Sequence, residues 1–276
     1  MQFWTVEEIE SDAMADHCAG EEIAPGVTIE RRTILRVGLV AAAAAVAAPA
    51  ALLTGCVSGR STSGAKQAGV GAAGERMRTM ELIAALRPRA RELIGADHPD
   101  EESYVAAAAR LLSRLEPDQP WQMREVGETG WSMNTAAYFP PIVLFDIRMR
   151  PGSRIHLHDH RHYNGVLLCT EGETRCRNFD IVQKDGKQLD IAAGEVPAQD
   201  EDFFIRQTRD DILKRERSST LTRDRDNIHH IEAGPDGCAL TDFFTHFRPG
   251  ARSYEIDWDE KPIDKREGVY RVSWRT

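Results

Sequence analysis

The sequence predicts an all-β core, an antiparallel barrel of the jelly-roll type, with two helices before it. After Pro117, short runs rich in Val, Ile, Phe and Tyr are separated by Pro-Gly, Asp-Gly and Gly-Pro turns about every ten residues, which is typical of such a barrel. Before Pro117, apolar residues recur at helical spacing. Six of the nine histidines fall into two clusters within the β-rich part, and a barrel of this kind can enclose them.

Composition excludes some classes of function. The formal net charge is -9, and an acidic surface repels nucleic acid and anionic membrane, so we predict no nucleic-acid partner. The five cysteines form no Cys-x-x-Cys pair and no dense framework, which argues against a structural zinc ribbon and a disulfide scaffold. They are Cys18, Cys56, Cys169, Cys176 and Cys238.

The N-terminal part, 1–56, predicts export. The pair Arg31-Arg32 precedes an uncharged, Ala-rich stretch from Val37 to Leu53, as in a twin-arginine signal. The stretch ends at Leu53-Thr54-Gly55-Cys56, which resembles a bacterial lipobox, whose cysteine is lipidated after cleavage. We therefore expect a periplasmic or cell-envelope lipoprotein that touches the membrane only through Cys56. An uncleaved signal anchor is the alternative, because about 20 apolar residues span a bilayer.

Three further segments follow the signal. Residues 57–74 are rich in Gly, Ser and Ala, which indicates a flexible tether. Residues 75–118 should form a helical cap, with helices over Glu75–Leu93 and Glu101–Leu115. Pro88 should kink or end the first helix, because proline lacks the amide hydrogen that the helix needs. Residues 119–276 should form the barrel domain.

Within the barrel domain, turn residues bound four predicted strands. Ile142–Met149 precedes a Pro-Gly turn, and Gly165–Thr170 precedes Glu171-Gly172. Arg175–Val182 runs into an Asp-Gly turn, and Ala239–Phe247 follows a Gly-Pro-Asp-Gly turn. The charged segment from Glu201 to Arg217 is ambiguous.

The histidine clusters point to a metal site. A strand sends alternate side chains to one face, so the first cluster should line one side of a sheet. Two imidazoles at i and i+2 can bind one ion, and a distant third leaves coordination positions open. The alternative is a polar strand whose histidines face solvent. The clusters are His156, His158, His160 and His162, and then His229 and His230.

The first cluster resembles the metal-binding pattern of cupins. Gly152, the pair His158 and His160, and then Gly172 match the glycine spacing of that pattern, whereas the neighbouring histidine pairs do not. Common cupins add a glutamate ligand soon after the pair, but Asn164 and Gly165 stand here. Three neutral imidazoles would leave a divalent ion its full charge, which favours binding an anionic thiolate.

Two blocks resemble the thiol dioxygenases of the cupin superfamily. His158-Asp159-His160, Gly172 and Asn178-Phe179-Asp180 look like the first half of their motif. Asp226 to Ile231, followed by Cys238-Ala239-Leu240-Thr241-Asp242, is similar to the second half in plant cysteine oxidases and cysteamine dioxygenase.

The resemblance implies roles for residues of the second block. His229 takes the position of the third iron ligand, and Asp242 would lie beside the iron as an orienting group. The alternative for Asp242 is an ordinary strand carboxylate bonded to an arginine. His230 should point away from His229, either behind the site or exposed. The three cysteines of the barrel are expected to be buried and inert.

The resemblance also implies the chemistry. Fe(2+) and O2 would convert a small or N-terminal thiol, cysteine-like or cysteamine-like, to a sulfinic acid. Another metal-dependent cupin oxygenase or isomerase, or a non-catalytic sensor of metal or thiol, remains as an alternative.

Three departures from the family leave the thiol open. Trp131 to Phe139 offers no arginine for a substrate carboxylate, and Leu240 to Phe244 replaces the Ser-x-His-x-Tyr strand of cysteine dioxygenase. Thr245 to Gly250 stands where the plant and cysteamine enzymes have Pro-Pro-Tyr.

Overall fold

The computed structural model of the chain describes residues 75–116, 126, 128–249 and 251–275. The predicted signal with Cys56, the predicted tether and the junction between cap and barrel at 117–119 lie outside these ranges. No helix within the described ranges is both long and apolar enough to cross a bilayer.

Two helices form the predicted cap. Helix α1 spans Thr79–Gly95 and helix α2 spans Glu101–Leu112, each starting at a polar cap. The Asp100 side chain accepts a hydrogen bond from the Ser103 backbone N–H at 3.0 Å, which caps α2. Pro88 lies inside α1 and does not end it. Proline removes the hydrogen bond to the residue four positions earlier, and that residue, Ala84, is exposed, so water can satisfy its carbonyl.

The described strands form antiparallel pairs in a curled sheet. Its order is β1-β2-β7-β4-β5-β9-β8, with β3 on β7 and β6 on β4. The strands are β1 Trp131–Phe139, β2 Ile142–Met149, β3 Arg154–Asp159, β4 Tyr163–Val182, β5 Phe203–Lys214, β6 Ser218–Leu221, β7 Ile228–His246, β8 Ile256–Asp257 and β9 Val269–Trp274. The prediction for Ile142–Met149 is confirmed, and the ambiguous segment contains β5.

Two predicted turns are instead part of long strands. Glu171-Gly172 lies within β4, and the Gly-Pro-Asp-Gly sequence lies within β7, each beside a register shift. Gly172 has φ 67°, and a Cβ there would lie 2.2 Å from the Gly237 carbonyl oxygen. Glycine therefore lets the two strands bend together without separating.

The helices cover one face of this sheet. Leu82, Leu86 and Leu112 are fully buried against strand residues that include Leu144 and Phe243. The next residues along the same strands, Phe145 and Phe244, belong to a different cluster on the other face. The predicted all-β cupin-type barrel with two preceding helices is confirmed, and the concave face of the sheet, opposite the helices, is free to hold a site.

Candidate metal centre

A bulge in β3 decides which histidines face the interior. Its pairing with β7 shifts between Ile155 and His158, so those two residues face the same cavity. His156 is exposed, whereas His158 is buried. The strand ends at Asp159, and His162 lies beyond it with φ 67°. The expectation that all four histidines share one face is therefore wrong.

The structure brings His158, His160 and His229 together. His158 is the cross-strand partner of His229, and their Nε2 atoms lie 3.0 Å apart. The ring of His160 lies 4.8 Å from the His158 ring and 4.3 Å from the His229 ring, centroid to centroid. One nitrogen from each residue lies within 4.8 Å of the others, so the trio could hold a metal ion. Elsewhere in the described ranges no other group of three such side chains is this close.

Backbone carbonyls fix two of the three imidazoles. His158 Nδ1 donates to the His156 carbonyl at 2.7 Å, and His160 Nδ1 donates to the Asn227 carbonyl at 2.8 Å. With the proton on Nδ1, each Nε2 presents a lone pair to the centre. His160 Nε2 is buried without a hydrogen-bond partner. A metal with nitrogen ligands at about 2.1 Å would satisfy such converging lone pairs, so the residues fit a metal ion.

Burial keeps the cluster uncharged. It lowers the pKa of His158 to about 4. The pKa values of His160 and His229 lie well below the usual range, through burial and then the neighbouring histidines. The imidazoles are therefore neutral at pH 7, which is the form that binds metal.

Asp242 lies on β7 and lines the same cavity. It is 5% exposed, and its Oδ1 has no hydrogen-bond partner. Burial raises its pKa well above the usual range, which favours the protonated form of the carboxyl. Within the described ranges no ion pair joins it to an arginine, which argues against the alternative of an ordinary paired carboxylate.

The side chain of Asn227 is hydrogen-bonded to both backbone polar groups of His160. Its side-chain Nδ2 donates to the His160 carbonyl at 3.0 Å, and its Oδ1 accepts from the His160 N–H at 3.5 Å. The carbonyl of Asn227 also accepts the hydrogen bond from the His160 imidazole. The Asn-Ile-His segment thus positions both His160 and His229. The sequence singled out this segment because it contains His229, but it did not indicate that Asn227 positions His160.

His230 lies on the opposite face of β7 from His229. Its Nδ1 accepts a hydrogen bond from Arg177 Nη2 at 3.2 Å, and its ring lies 5.6 Å from the Trp258 ring. It is only 3% exposed, so it points away from the centre as predicted but is buried. The barrel cysteines are buried too, and burial raises the pKa of Cys169 and Cys176 to about 12, which leaves unreactive thiols.

The histidines open on a cavity of about 670 Å³, a volume that includes solvent at its mouth. Its walls are mainly apolar, and polar side chains line the rest. The apolar side chains are Trp131, Met133, Phe145, Ile147, Ile155, Ile231, Phe244 and Ala251. The polar side chains other than the histidine trio and Asp242 are Tyr163, His246, Arg252 and Ser253.

Sequence reasoning missed those four polar residues. Tyr163 and Ser253 are 90 positions apart, and their hydroxyls are hydrogen-bonded to each other. No local motif marks such a pair, because the sheet brings the two segments together only when it curls.

No protein-family model and no curated protein sequence matches the chain. Among solved structures, the chain is similar to oxalate oxidase in complex with glycolate, with 13% identity, 45% of this chain and 55% of that chain covered, and a TM-score of 0.31. KdgF from Halomonas sp. matches with 14% identity, 48% and 91% coverage and a TM-score of 0.30. Pro-11S globulin of pumpkin matches with 13% identity, 49% and 30% coverage and a TM-score of 0.34. The match thus spans about half the length of oxalate oxidase, and likenesses at this level do not bear on activity or ligand.

Proposed function

We propose that the chain is an iron-dependent thiol dioxygenase that converts a small or N-terminal thiol and O2 to a sulfinic acid. The observation that carries the proposal is the trio of buried, neutral imidazoles with no carboxylate among them. His158, His160 and His229 would hold Fe(2+), whose double charge they leave uncompensated. The resemblance of the two sequence blocks to thiol dioxygenases supports the same chemistry.

The reaction balances with the two substrates alone. The thiol RSH and O2 give RSO2H, with both oxygen atoms bonded to sulfur. Sulfur is oxidised by four electrons, O2 accepts all four, and the thiol proton leaves with the acid. When bound, the ion would bring the two substrates together and favour the thiolate form.

The carboxyl of Asp242, which burial favours in its protonated form, faces the same cavity. It can donate a hydrogen bond to a bound substrate without adding negative charge, and its Oδ1 has no partner in the protein that would compete. A neutral Asp242 also does not repel a thiolate. We assign it the orienting role that the resemblance implies.

The apolar wall would keep water away from the reacting atoms. Phe145, Ile147 and Ile231 line the cavity beside the histidines and are nearly or fully buried. A dry site strengthens the hydrogen bond from Asp242 and limits side reactions of activated oxygen.

Export is part of the proposal and rests on the sequence. Twin-arginine transport carries folded proteins, so the metal would be bound before export. Lipidated Cys56 would then hold the enzyme at the bacterial cell envelope, where it meets thiols outside the cytoplasm.

The test is thiol oxidation by the iron-loaded protein. A panel of thiols is incubated with the protein and 18O2, O2 uptake is followed with an electrode, and the products are examined by mass spectrometry. We expect thiol-dependent O2 uptake and a product that gains two labelled oxygen atoms. Tight thiol binding without O2 uptake would indicate a sensor. Neither binding nor uptake with any thiol would overturn the proposal in favour of another cupin enzyme.

A further inference from the structure

The histidine trio lies between an apolar end and a polar end of the cavity. On β7, Ile231 lies two residues from His229, and alternate residues of a strand point the same way, so both face the cavity. On β3, Ile155 faces the cavity together with His158. The two isoleucines are cross-strand partners of each other, and so are the two histidines. A row of apolar side chains therefore lies directly beside the row of histidines.

Strands β1 and β2 complete the apolar end. On β2, Ile147 lies two residues beyond Phe145, which is the cross-strand partner of Asp242. Ile147 pairs in turn with Met133 of β1, and both line the cavity. The three isoleucines are buried in one core cluster, against which half-buried side chains of β1 pack. We define the apolar end by its five side chains, Trp131, Met133, Ile147, Ile155 and Ile231.

The polar end lies on the other side of the trio. The bend of β7 at Gly-Pro-Asp-Gly separates His229 from Asp242, and Ile231 lies between His229 and this bend. His246 lies beyond Asp242, away from the bend, and is the cross-strand partner of Tyr163. A substrate bound at the trio can therefore extend toward the bend, into apolar surroundings, or away from it, into polar ones.

The apolar end favours an apolar group over a polar one. Met133 is half-buried, so part of its side chain is left for a ligand to cover. Burial of each methylene group of a ligand improves its affinity about fourfold. An ammonium or hydroxyl group placed there would lose its hydrogen bonds to water, because the isoleucines and Met133 offer no strong acceptor in exchange.

We propose that the substrate is a thiol that carries an apolar group in place of an amine or a hydroxyl. This group fills the apolar end while the sulfur reaches the three histidines. Cysteamine, whose ammonium would lie among the isoleucines, is then a poor substrate. The inference rests on the proposed function and narrows its substrate class.

The test compares thiols that differ only in their terminal group. One pair is 1-butanethiol and 3-mercaptopropan-1-ol, and the other is 1-propanethiol and cysteamine, so the members of each pair have equal numbers of non-hydrogen atoms. Their affinity for the cobalt-loaded protein is measured from the change in its visible spectrum. We expect the alkyl member of each pair to bind about tenfold or more tightly than its polar partner. We also expect 1-butanethiol to bind about fourfold more tightly than 1-propanethiol.

A substitution then locates the apolar group. M133Q puts a polar side chain of similar length at the apolar end, so it should lose about fourfold in affinity for 1-butanethiol and leave 3-mercaptopropan-1-ol unchanged. The matched control is M80Q, because Met80 is 55% exposed on α1 and does not line the cavity. Equal affinities within each pair, or equal losses in M133Q and M80Q, would overturn the inference and leave the proposed function intact.

A separate arm needs neither metal nor thiol. Metal-free protein with 13C-labelled methionine methyl groups is titrated with 1-pentanol and with 1,5-pentanediol and followed by NMR. The Met133 signal, identified from the spectrum of M133L, should shift with 1-pentanol and much less with the diol, while the Met80 signal stays in place. This arm also replaces the affinity comparison if M133Q does not fold.

The two arms separate the inference from the proposed function. If the Met133 signal shifts but no thiol binds the cobalt-loaded protein, the apolar end stands and the thiol function fails. If the signal does not shift although thiols bind, the apolar group lies elsewhere and the inference is overturned. If the signal does not shift and no thiol binds, both fail.

Discussion

His229 and His230 are adjacent on β7, and both are buried, yet their surroundings differ completely. The Nδ1 of His230 has a donor in Arg177, and its ring packs on Trp258. The Nδ1 of His229 has no partner, and its Nε2 faces two other imidazoles. The first side chain is satisfied by the protein alone. The second faces a cluster in which a further group, such as a metal ion, would satisfy the buried Nε2 of His160.

Burial alone therefore does not identify a functional histidine in this chain. His230, whose Nδ1 is hydrogen-bonded to Arg177, packs the sheet against the segment around Trp258. The histidine trio instead lines the cavity. Three substitutions, two of them with a matched control variant, test this contrast.

The largest effect is expected from His229→Ala. It removes one of three proposed ligands, so iron affinity should fall by more than the roughly 100-fold that loss of an outer hydrogen-bond partner can cost. Thiol oxidation should disappear with the iron. Metal content after gel filtration, measured by mass spectrometry, checks the prediction.

His230→Ala is the matched control, because it removes the neighbouring imidazole from the opposite face. It should keep full iron occupancy. If H229A also retained full occupancy, the third ligand would have to be another residue.

An intermediate effect is expected from Asn227→Ala. The variant loses the two side-chain hydrogen bonds that bracket His160, while the backbone carbonyl that accepts from the imidazole remains. Iron affinity should fall by about 10-fold to 100-fold with the three ligands still present. Asn164→Ala is the control, since buried Asn164 bonds to Glu101 on the helix-covered side. Similar losses in both variants would mean a general loss of stability.

The smallest effect is expected from His230→Phe, and it depends on pH. Burial, followed by Arg177 and Arg154, lowers the pKa of His230 to about 3. Between about pH 6.5 and pH 3 the unfolded chain binds a proton on this residue that the folded chain does not. The contribution of His230 is thus complete above pH 6.5 and is lost on acidification.

Removing the titrating group should make the loss of stability on acidification shallower. The slope should change by up to about 1.4 kcal/mol per pH unit between pH 6 and pH 4. Urea unfolding of metal-free wild type and H230F at several pH values measures the difference. Parallel curves would show that His230 is not held neutral in the folded chain.

The fold was largely predictable because its signals are local. Turn residues and a run of apolar residues place a strand at Ile142–Met149, and helical spacing places α1 and α2. The glycine of a turn and the glycine of a bend in a strand have the same positive φ, as Gly172 shows. The two cases differ in whether the partner strand continues to pair beyond the glycine, which the sequence does not show. The sequence therefore predicted β4 and β7 too short.

The members of the histidine trio were also named from the sequence, His158 and His160 by the glycine spacing of the cupin pattern and His229 by the resemblance of its block to thiol dioxygenases. The bulge that turns His156 outward gave no signal, since it depends on the pairing of β3 with β7. Arg252 was missed for a related reason. It joins the cavity through the curl of the sheet, about 90 residues after the first histidines, and no local pattern reports that closure.

Because the three histidines carry no charge, folding of the barrel does not depend on metal binding. The three imidazoles are neutral and burial favours the protonated form of Asp242, so the cavity can be buried without desolvating a histidine cation. The barrel does not need a cation to overcome repulsion among its ligands, unlike a centre built from carboxylates or thiolates. Folding then does not require metal uptake, and an ion could enter through the cavity mouth after the chain has folded.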